Sequence, residues 1–209
     1  MQRLLSYPYH DRPRALREIA NLARALPVAV RNRFDLLLAT SPAPERGLLY
    51  FDLLRERQPA AFEHLTRATA GLRHLAALFT HSHFLSEEVL QHPEWAEQLL
   101  NAGELQNAIS ADVLRSRLEE DLPAGLPDAL EFAKFRRKQL LRIVVRDVLG
   151  LDTLPAIVAE LSDLADVLVE VAYERIYRDL VARYGVPREE GTSREAQFAV
   201  IALGKLGGK

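Results

Sequence analysis

Residues 128–184, DALEFAKFRRKQLLRIVVRDVLGLDTLPAIVAELSDLADVLVEVAYERIYRDLVARY, decide the fold class. Their apolar side chains recur every three or four residues, which is the spacing of one face of an α-helix. The pattern predicts two long helices, over 128–149 and 153–184, with Gly150 as the stop of the first and Gly185 as the stop of the second. The predicted apolar stripes are Leu141, Val144, Val145 and Val148 on the first helix, and Leu161, Leu164, Ala165, Leu168 and Ala172 on the second.

The sequence before this stretch has the same helical character, because proline and glycine concentrate at joints rather than inside segments. Pro27 divides residues 12–39 into two short helices, and Ser41-Pro-Ala-Pro44 interrupts the chain again, since a residue before proline avoids the α region. Further helices are predicted over about 45–56, from Pro59 through the stripe Leu72, Leu75, Ala76 and Phe79, from Ser86 or His92, and over 104–121. Residues 1–185 are therefore predicted to form a mainly α, multi-helix domain.

Composition excludes several classes of protein. The 209 residues are 48% apolar and 27% charged, which is typical of a globular chain rather than a disordered one. No apolar run approaches the ~18 residues of a membrane span, and we expect a cytoplasmic location. The absence of cysteine excludes disulfides and thiolate metal sites. A net charge of −2 gives no overall field that would attract nucleic acid or anionic membranes.

A basic stripe follows the first long helix at Lys134, Lys138, Arg142 and Arg146, because residues four apart differ by only about 40° around a helix. The stripe either attracts phosphate or an acidic partner, or it is a solvated face with local ion pairs. Arg137 falls inside the apolar stripe instead. We expect Arg137 to be partly buried and paired with a carboxylate, and Arg142 to lie on the outer side.

An acidic stripe runs along the second long helix at Asp163, Asp166, Glu170 and Glu174. Carboxylates at this spacing can hold Mg²⁺, or they can face water and pair with arginine, for example on the basic helix. His81 and His83 would point to opposite sides of a helix, which disfavours a zinc pair. The chain contains no zincin or serine-hydrolase motif, so no catalytic or metal-ligating residue is assigned.

One β signal is present, near the end of the chain. Residues 197–203 form a short apolar run rich in branched side chains, and a glycine turn follows with Gly204, Lys205, Gly207 and Gly208. Glycines allow backbone N–H groups to approach a phosphate closely, although the Walker pattern is absent. A plain hairpin turn explains the same spacing. A single strand cannot form a sheet, so residues 197–209 are predicted to begin a second, truncated domain after a polar linker over 186–196.

An ordered set of segments carries a resemblance to a known family. Phe198-Ala-Val-Ile-Ala-Leu-Gly-Lys-Leu-Gly-Gly208 resembles the entry to the nucleotidyltransferase domain of the glutamine synthetase adenylyltransferase family. Other segments resemble the N-terminal helical region of the same family: Ser82-His-Phe-Leu-Ser86, His92-Pro-Glu94, Phe135-Arg-Arg-Lys-Gln-Leu-Leu-Arg142, Arg146-Asp147 and Leu161-Ser-Asp-Leu-Ala-Asp166. The resemblance runs over most of the chain and is weakest before about residue 60.

The resemblance implies a fold and a function. It implies an α/β nucleotidyltransferase domain beginning at 197–209, in which Gly204, Lys205, Gly207 and Gly208 bind nucleotide phosphates. It also implies an enzyme that transfers AMP to a tyrosine of glutamine synthetase and removes it by phosphorolysis, using ATP, ADP and Mg²⁺ under control of the PII signal protein and glutamine. The N-terminal position implies the deadenylylating activity.

The same resemblance implies that this stretch of chain is inactive by itself. In the family a Ser-Asp-x-Asp segment follows the glycine turn and binds the metal and the phosphates, and this sequence ends before that segment. The alternative is a non-catalytic helical module that docks a protein partner through its charged stripes.

Overall fold

The computed structural model describes residues 1–101, 103–123, 125–126 and 128–201. In these residues the secondary structure is helical, apart from one antiparallel bridge between Arg188 and Glu195. The helices are α1 (Gln2–Leu5), α2 (Arg12–Ala25), α3 (Val28–Ala39), α4 (Pro44–Arg57), α5 (Pro59–Thr66), α6 (Thr69–His81), α7 (His83–Gln91), α8 (Pro93–Gln98), α9 (Ala111–Asp121), α10 (Ala129–Val148) and α11 (Leu154–Tyr184). The mainly α class is confirmed.

Two compact units make up the chain. The first contains residues 1–107 and 140–152, and the second contains residues 108–139 and those from 153 onward. None of the described helices is both long enough and apolar enough to cross a bilayer.

The core of the first unit is built on aromatic and leucine side chains. Phe51 contacts Phe34 and Phe79 edge to face, with ring centroids 5.0 Å apart in both pairs. All members of the predicted α6 stripe are buried, as the helical spacing requires. That stripe is Leu72, Leu75, Ala76 and Phe79.

Local sequence explains several helix ends. Asp11 caps α2 by accepting from the backbone N–H of Arg14 at 3.0 Å, and Ser82 caps α7 by accepting from Leu85 at 3.2 Å. Gly150, with φ of 62°, ends α10: its N–H bonds to the carbonyl of Asp147, and that of Leu151 bonds to Arg146.

Two predicted helices differ from the observed ones. The segment from Pro59 forms two helices, because Ala68 is extended and Gly71 lies against the backbone of α5. The helix expected from residue 104 begins only at Ala111. Just before it, the backbone N–H of Ile109 donates to the Glu160 carboxylate at 2.8 Å, which takes the place of a helical bond.

The second unit is organised around α11. Val171 and Leu164 are buried on one side of this helix, and α9 packs against it. The predicted α11 stripe was wrong by a fraction of a turn, since Leu161 is 38% exposed. The buried stripe is Ile157, Glu160, Leu164, Val167 and Val171.

The predicted strand over 197–203 is not observed in its described portion. Residues 197–201 have no strand partner there, and Phe198, Val200 and Ile201 are 67%, 55% and 82% exposed. An extended apolar segment forms ladder hydrogen bonds only when a neighbouring strand supplies the other half of each bond.

Candidate functional site

The predicted phosphate-binding residues Gly204, Lys205, Gly207 and Gly208 lie outside the described residues. What the structure shows is the polypeptide that leads into them, from the end of α11 to Ile201. Gly185 ends α11 with φ of 83°, a left-handed conformation that favours glycine. From this point the chain turns back toward the helix that it has just left.

Residues 187–196 form a short hairpin, which we call the terminal hairpin. The backbone N–H of Ala196 donates to Pro187 and that of Glu189 donates to Arg194, both at 3.0 Å. The turn closes with a 3.1 Å bond from the N–H of Thr192 to the carbonyl of Glu189. Gly191 occupies this turn with φ of 72°. The predicted linker over 186–196 therefore contains its own backbone hydrogen bonds.

Two tyrosines of α11 anchor the terminal hairpin. The hydroxyl of Tyr177 donates to the Glu195 carboxylate, and this hydrogen bond, followed by burial, raises the pKa of Tyr177 to about 12. The ring of Tyr173 stacks on Phe198 with centroids 5.3 Å apart and planes 10° from parallel. Both contacts hold the chain against α11 a few residues before the predicted glycine turn.

An apolar pocket of about 310 Å³ lies between α11 and the terminal hairpin. Most of its surface is apolar, so it offers mainly hydrophobic contact. The arrangement can position a following segment of the chain against α11. Its lining consists of Tyr173, Ile176, Tyr177, Leu180, Pro187, Ala196, Gln197 and Phe198.

The basic stripe of α10 divides into two parts. Lys134 pairs with Glu131 at 2.9 Å, and Lys138 lies 3.7 Å from Asp121, so these two lysines are the partly solvated face with local ion pairs. Arg142 is only 2% exposed. Placing Arg142 on the outer side of the helix was wrong.

Arg142 is buried because other parts of the protein cover more than one side of α10 around this residue. Buried side chains from Leu141 to Arg146 span about 200° of the helix circumference, so more than one face is enclosed. Arg137, which we expected inside the apolar stripe, is half-buried. A charged residue in the sequence predicts the solvent-exposed side of a helix only when one side of that helix does face solvent.

Arg146 is fully buried and acts as a cross-link within the first unit. Its Nη1 donates to the carbonyl of Leu105 at 2.6 Å, and its Nη2 bonds to the Asp152 carboxylate at 2.5 Å. A buried guanidinium is stable only with such partners. This side chain therefore holds two loops together and is not available to bind a ligand.

Two residues of the acidic stripe pair with α9. Arg115 of α9 lies 3.6 Å from Glu170 and bonds to Glu174. These are surface ion pairs that fasten two packed helices. Within the described ranges no group of three histidine, aspartate or glutamate side chains could hold a metal ion.

His81 and His83 were expected on opposite sides of a single helix, and this placement was wrong. His81 ends α6 and His83 begins α7, so they lie on separate helices rather than on opposite sides of one. His83 lies 3.3 Å from the hydroxyl of Tyr50, which donates to Glu87 at 2.5 Å. Burial, together with this bond, raises the pKa of Tyr50 to about 12. No sequence signal links Tyr50 to residues more than thirty positions away.

Comparison with known proteins identifies the family to which this chain belongs. The family model described as glutamate-ammonia ligase adenylyltransferase matches residues 72–209. The chain belongs to the glutamate-ammonia ligase adenylyltransferase family. The resemblance found in the sequence is thereby confirmed, and the matched region runs from α6 through the terminal hairpin and the predicted glycine turn.

Two curated relatives within this adenylyltransferase family are bifunctional glutamine synthetase adenylyltransferase/adenylyl-removing enzymes. The protein from Aromatoleum aromaticum is 30% identical over 198 residues, covering 88% of this chain and 20% of the relative. The protein from Chromobacterium violaceum is 30% identical over 228 aligned residues, covering 99% of this chain and 24% of the relative. The chain thus spans about a fifth to a quarter of the length of these relatives. No solved structure matches it.

Proposed function

We propose that this chain is the N-terminal part of a bifunctional enzyme that adenylylates a tyrosine of glutamine synthetase and removes the AMP again by phosphorolysis. One observation carries the proposal: the family match continues through the glycine run at the end of the sequence. The names of both curated relatives agree with it, since each includes the adenylylating and the adenylyl-removing activity.

In this proposal residues 197–203 form the first strand of a nucleotidyltransferase domain. Gly204, Lys205, Gly207 and Gly208 then form the turn that binds the phosphates of ATP or ADP, because backbone N–H groups unshielded by Cβ atoms can approach phosphate oxygens. Lys205 adds a positive charge beside the same phosphates. The strand forms when the rest of the sheet supplies its hydrogen-bonding partners.

Magnesium ions would be held elsewhere in the complete enzyme. Nucleotidyl transfer needs cations that neutralise charge developing around the phosphorus, and such cations need clustered oxygen ligands. The described part of this chain does not fit that requirement, since it has no such cluster. We therefore assign the metal to the Ser-Asp-x-Asp segment that follows the glycine turn in the family, and expect the 209-residue chain to be inactive alone.

The proposed setting is regulation of nitrogen metabolism in the cytoplasm. Glutamine synthetase is the protein substrate, and PII is the regulatory partner. The alternative, a non-catalytic helical module that only docks a protein partner, shares the helical architecture and differs in its chemistry. The two are separated by measuring turnover and binding on the same protein.

The test uses the chain extended through a complete nucleotidyltransferase domain. We expect it to release ADP from adenylylated glutamine synthetase in the presence of phosphate and Mg²⁺. Gly208→Val should lower this rate by on the order of 10²–10³-fold, the typical cost of losing preorganised donors to a charged group. Ala60→Val is the control, because Ala60 is exposed on the first turn of α5 and its backbone is helical.

The outcomes separate the alternatives. Full activity of the Gly208→Val protein would refute the phosphate-binding role of the turn. Binding of glutamine synthetase by the extended protein without any adenylylation or deadenylylation would favour the docking module. Turnover by the 209-residue chain alone would show that the chemistry does not depend on downstream carboxylates.

A further inference from the structure

α11 carries apolar residues on two opposite sides. Its first half is buried through Leu164, Val167 and Val171, while Ile176 and Leu180 in its second half are 51% and 47% exposed. Val171 and Leu180 are nine residues apart, which is about 900°, or two and a half turns, so they point in opposite directions. The apolar side of the helix therefore changes by half a turn near residue 172.

We call the later side the second apolar face of α11. It consists of Tyr173, Ile176, Tyr177, Leu180 and Tyr184, at spacings of three, four or one residues that keep them together. Tyr184 is 81% exposed. An apolar stripe of this kind on a helix is typical of a surface that another element covers.

The terminal hairpin covers only part of this face. Phe198 stacks on Tyr173, and Pro187 and Ala196 help to line the adjoining pocket. Phe198 itself remains 67% exposed, and the next apolar residues, Val200 and Ile201, are 55% and 82% exposed. Two sets of exposed apolar side chains, one on α11 and one on the segment after the hairpin, thus adjoin each other.

We propose that the second apolar face of α11 is the docking surface for the body of the nucleotidyltransferase domain that begins at residue 197. This inference rests on the proposed function. Three observations select this occupant over a second copy of the chain: the curated relatives are four to five times longer, the polypeptide leaves along this face, and its first residue there, Phe198, is already stacked on Tyr173.

The consequence is structural coupling between α11 and the phosphate-binding turn. Gly204 lies six residues beyond Phe198, which is at most about 20 Å of extended chain. A domain seated on this face therefore keeps the turn within about 20 Å of Phe198, beside the second half of α11. Its partner surface is apolar and includes residues 198–203 together with the elements that pack on that strand.

The test uses cysteine accessibility, because the chain has no cysteine of its own. Leu180→Cys and Ile176→Cys report on the second apolar face, and Val113→Cys on α9, 44% exposed in the parent, is the matched control for Leu180 at 47%. Each variant is prepared in the 209-residue chain and in the chain extended through the complete domain. Maleimide modification is followed at the individual peptides by mass spectrometry, and circular dichroism confirms that each variant is folded.

We expect the thiols introduced at positions 176 and 180 to react about tenfold or more slowly in the extended protein, since a thiol in a closed interface reacts only when the interface opens. The thiol introduced at position 113 should react equally in both proteins. Equal rates at 176 and 180 in the two proteins would overturn the inference. Slowing in the short chain as its concentration rises would also overturn it, by showing that a second copy covers the face.

Failure of this inference and failure of the proposed function give different results. Suppose that the extended protein deadenylylates glutamine synthetase and that its thiols at positions 176 and 180 react as fast as in the short chain. This result would reject the docking surface alone. Protected sites in an extended protein without either activity would reject the proposed function and leave the docking surface in place.

Discussion

Arg146 shows what a single buried charge does in this molecule. Its side chain is fully enclosed, and the guanidinium joins the carbonyl of Leu105 to the Asp152 carboxylate. Arg146→Ala should lower the free energy of unfolding by about 3–5 kcal/mol, because it strands a carbonyl and a carboxylate. Urea unfolding followed by circular dichroism measures the loss.

Lys138 provides the matched comparison on the same helix. Its ammonium group lies 3.7 Å from Asp121 and the side chain is partly solvated, so Lys138→Ala should cost less than about 1 kcal/mol. Similar small losses at both positions would show that Arg146 contributes no more than a surface ion pair.

His74 makes stability depend on pH. Burial, followed by the nearby Arg73, lowers its pKa from 6.5 to about 4. Between these values the unfolded chain binds a proton that the folded chain does not, so this contribution to stability is present above pH 6.5 and is lost as the pH falls toward 4. The full difference between a pKa of 6.5 and one of about 4 corresponds to about 3 kcal/mol.

The check is a comparison of unfolding free energies between about pH 8 and about pH 4.5, which bracket most of this titration. The parent chain should lose about 2 kcal/mol more than His74→Gln over this range, since glutamine does not titrate. All other ionisable groups are common to both proteins and cancel in the difference. If the free energies of unfolding of the parent and of His74→Gln changed equally with pH, His74 would take up its proton as readily in the folded chain as in the unfolded one.

At the scale of the element, the joint between α5 and α6 depends on one glycine. A Cβ built on Gly71 would lie 1.9 Å from the carbonyl oxygen of Leu65, which is backbone and cannot turn away. Gly71→Ala should therefore cost about 2–3 kcal/mol of unfolding free energy or more, through displacement of α5.

Gly47 is the control within the same unit. Its nearest neighbours are side-chain methyl groups of Leu38 and Thr80, at 2.7 and 2.9 Å, which can shift, and alanine gains about 1 kcal/mol of helix propensity over glycine. Gly47→Ala should cost at least ~1 kcal/mol less than Gly71→Ala. Thermal unfolding of the two variants would contradict this interpretation if their midpoints were equal.

The elements also show how far sequence reasoning reached. Helix existence followed from apolar spacing, and the ends at Gly150 and Gly185 followed from glycine, because both signals are local. The break before α6 was missed because it depends on the close packing of Gly71 against the backbone carbonyl of Leu65 in the preceding helix, and a linear pattern does not show such a contact. The burial of Arg142 was missed because it depends on how many sides of α10 are covered. The α11 stripe was misplaced because its buried side includes a charged residue, Glu160, which an apolar pattern leaves out.

Only part of the candidate site can be compared with the sequence prediction. The resemblance carried by residues 198–208 was recognisable because its pattern is local in the sequence, and the family match agrees with it. The phosphate-binding turn at 204–208 stays a prediction. The anchoring of the terminal hairpin by Tyr173 and Tyr177 was not recognisable, since each contact joins residues that are 18 or 25 positions apart. Such pairings follow from packing, which a linear pattern does not encode.

At the scale of the whole molecule, the core ends well before the chain does. Among the described residues Val171 is the last buried apolar side chain, and those from 186 to 201 are half-buried or exposed. A chain shortened to residues 1–185 should therefore keep its helical circular dichroism and unfold in urea with a free energy within about 1 kcal/mol of the parent, because little apolar area leaves the core.

The same truncation should raise solubility, because it removes exposed apolar residues at 186, 198, 200 and 201, which favour association. Tyr173 and Tyr177 lose the hairpin, but their rings lie outside the buried stripe of α11. The solubility limit, measured on both chains, tests the predicted gain in solubility. The urea transition, measured on both chains, tests the predicted unchanged free energy of unfolding. Loss of cooperative unfolding in the 1–185 chain would mean that the terminal hairpin stabilises the helical units, and that the boundary of the folded body lies beyond residue 185.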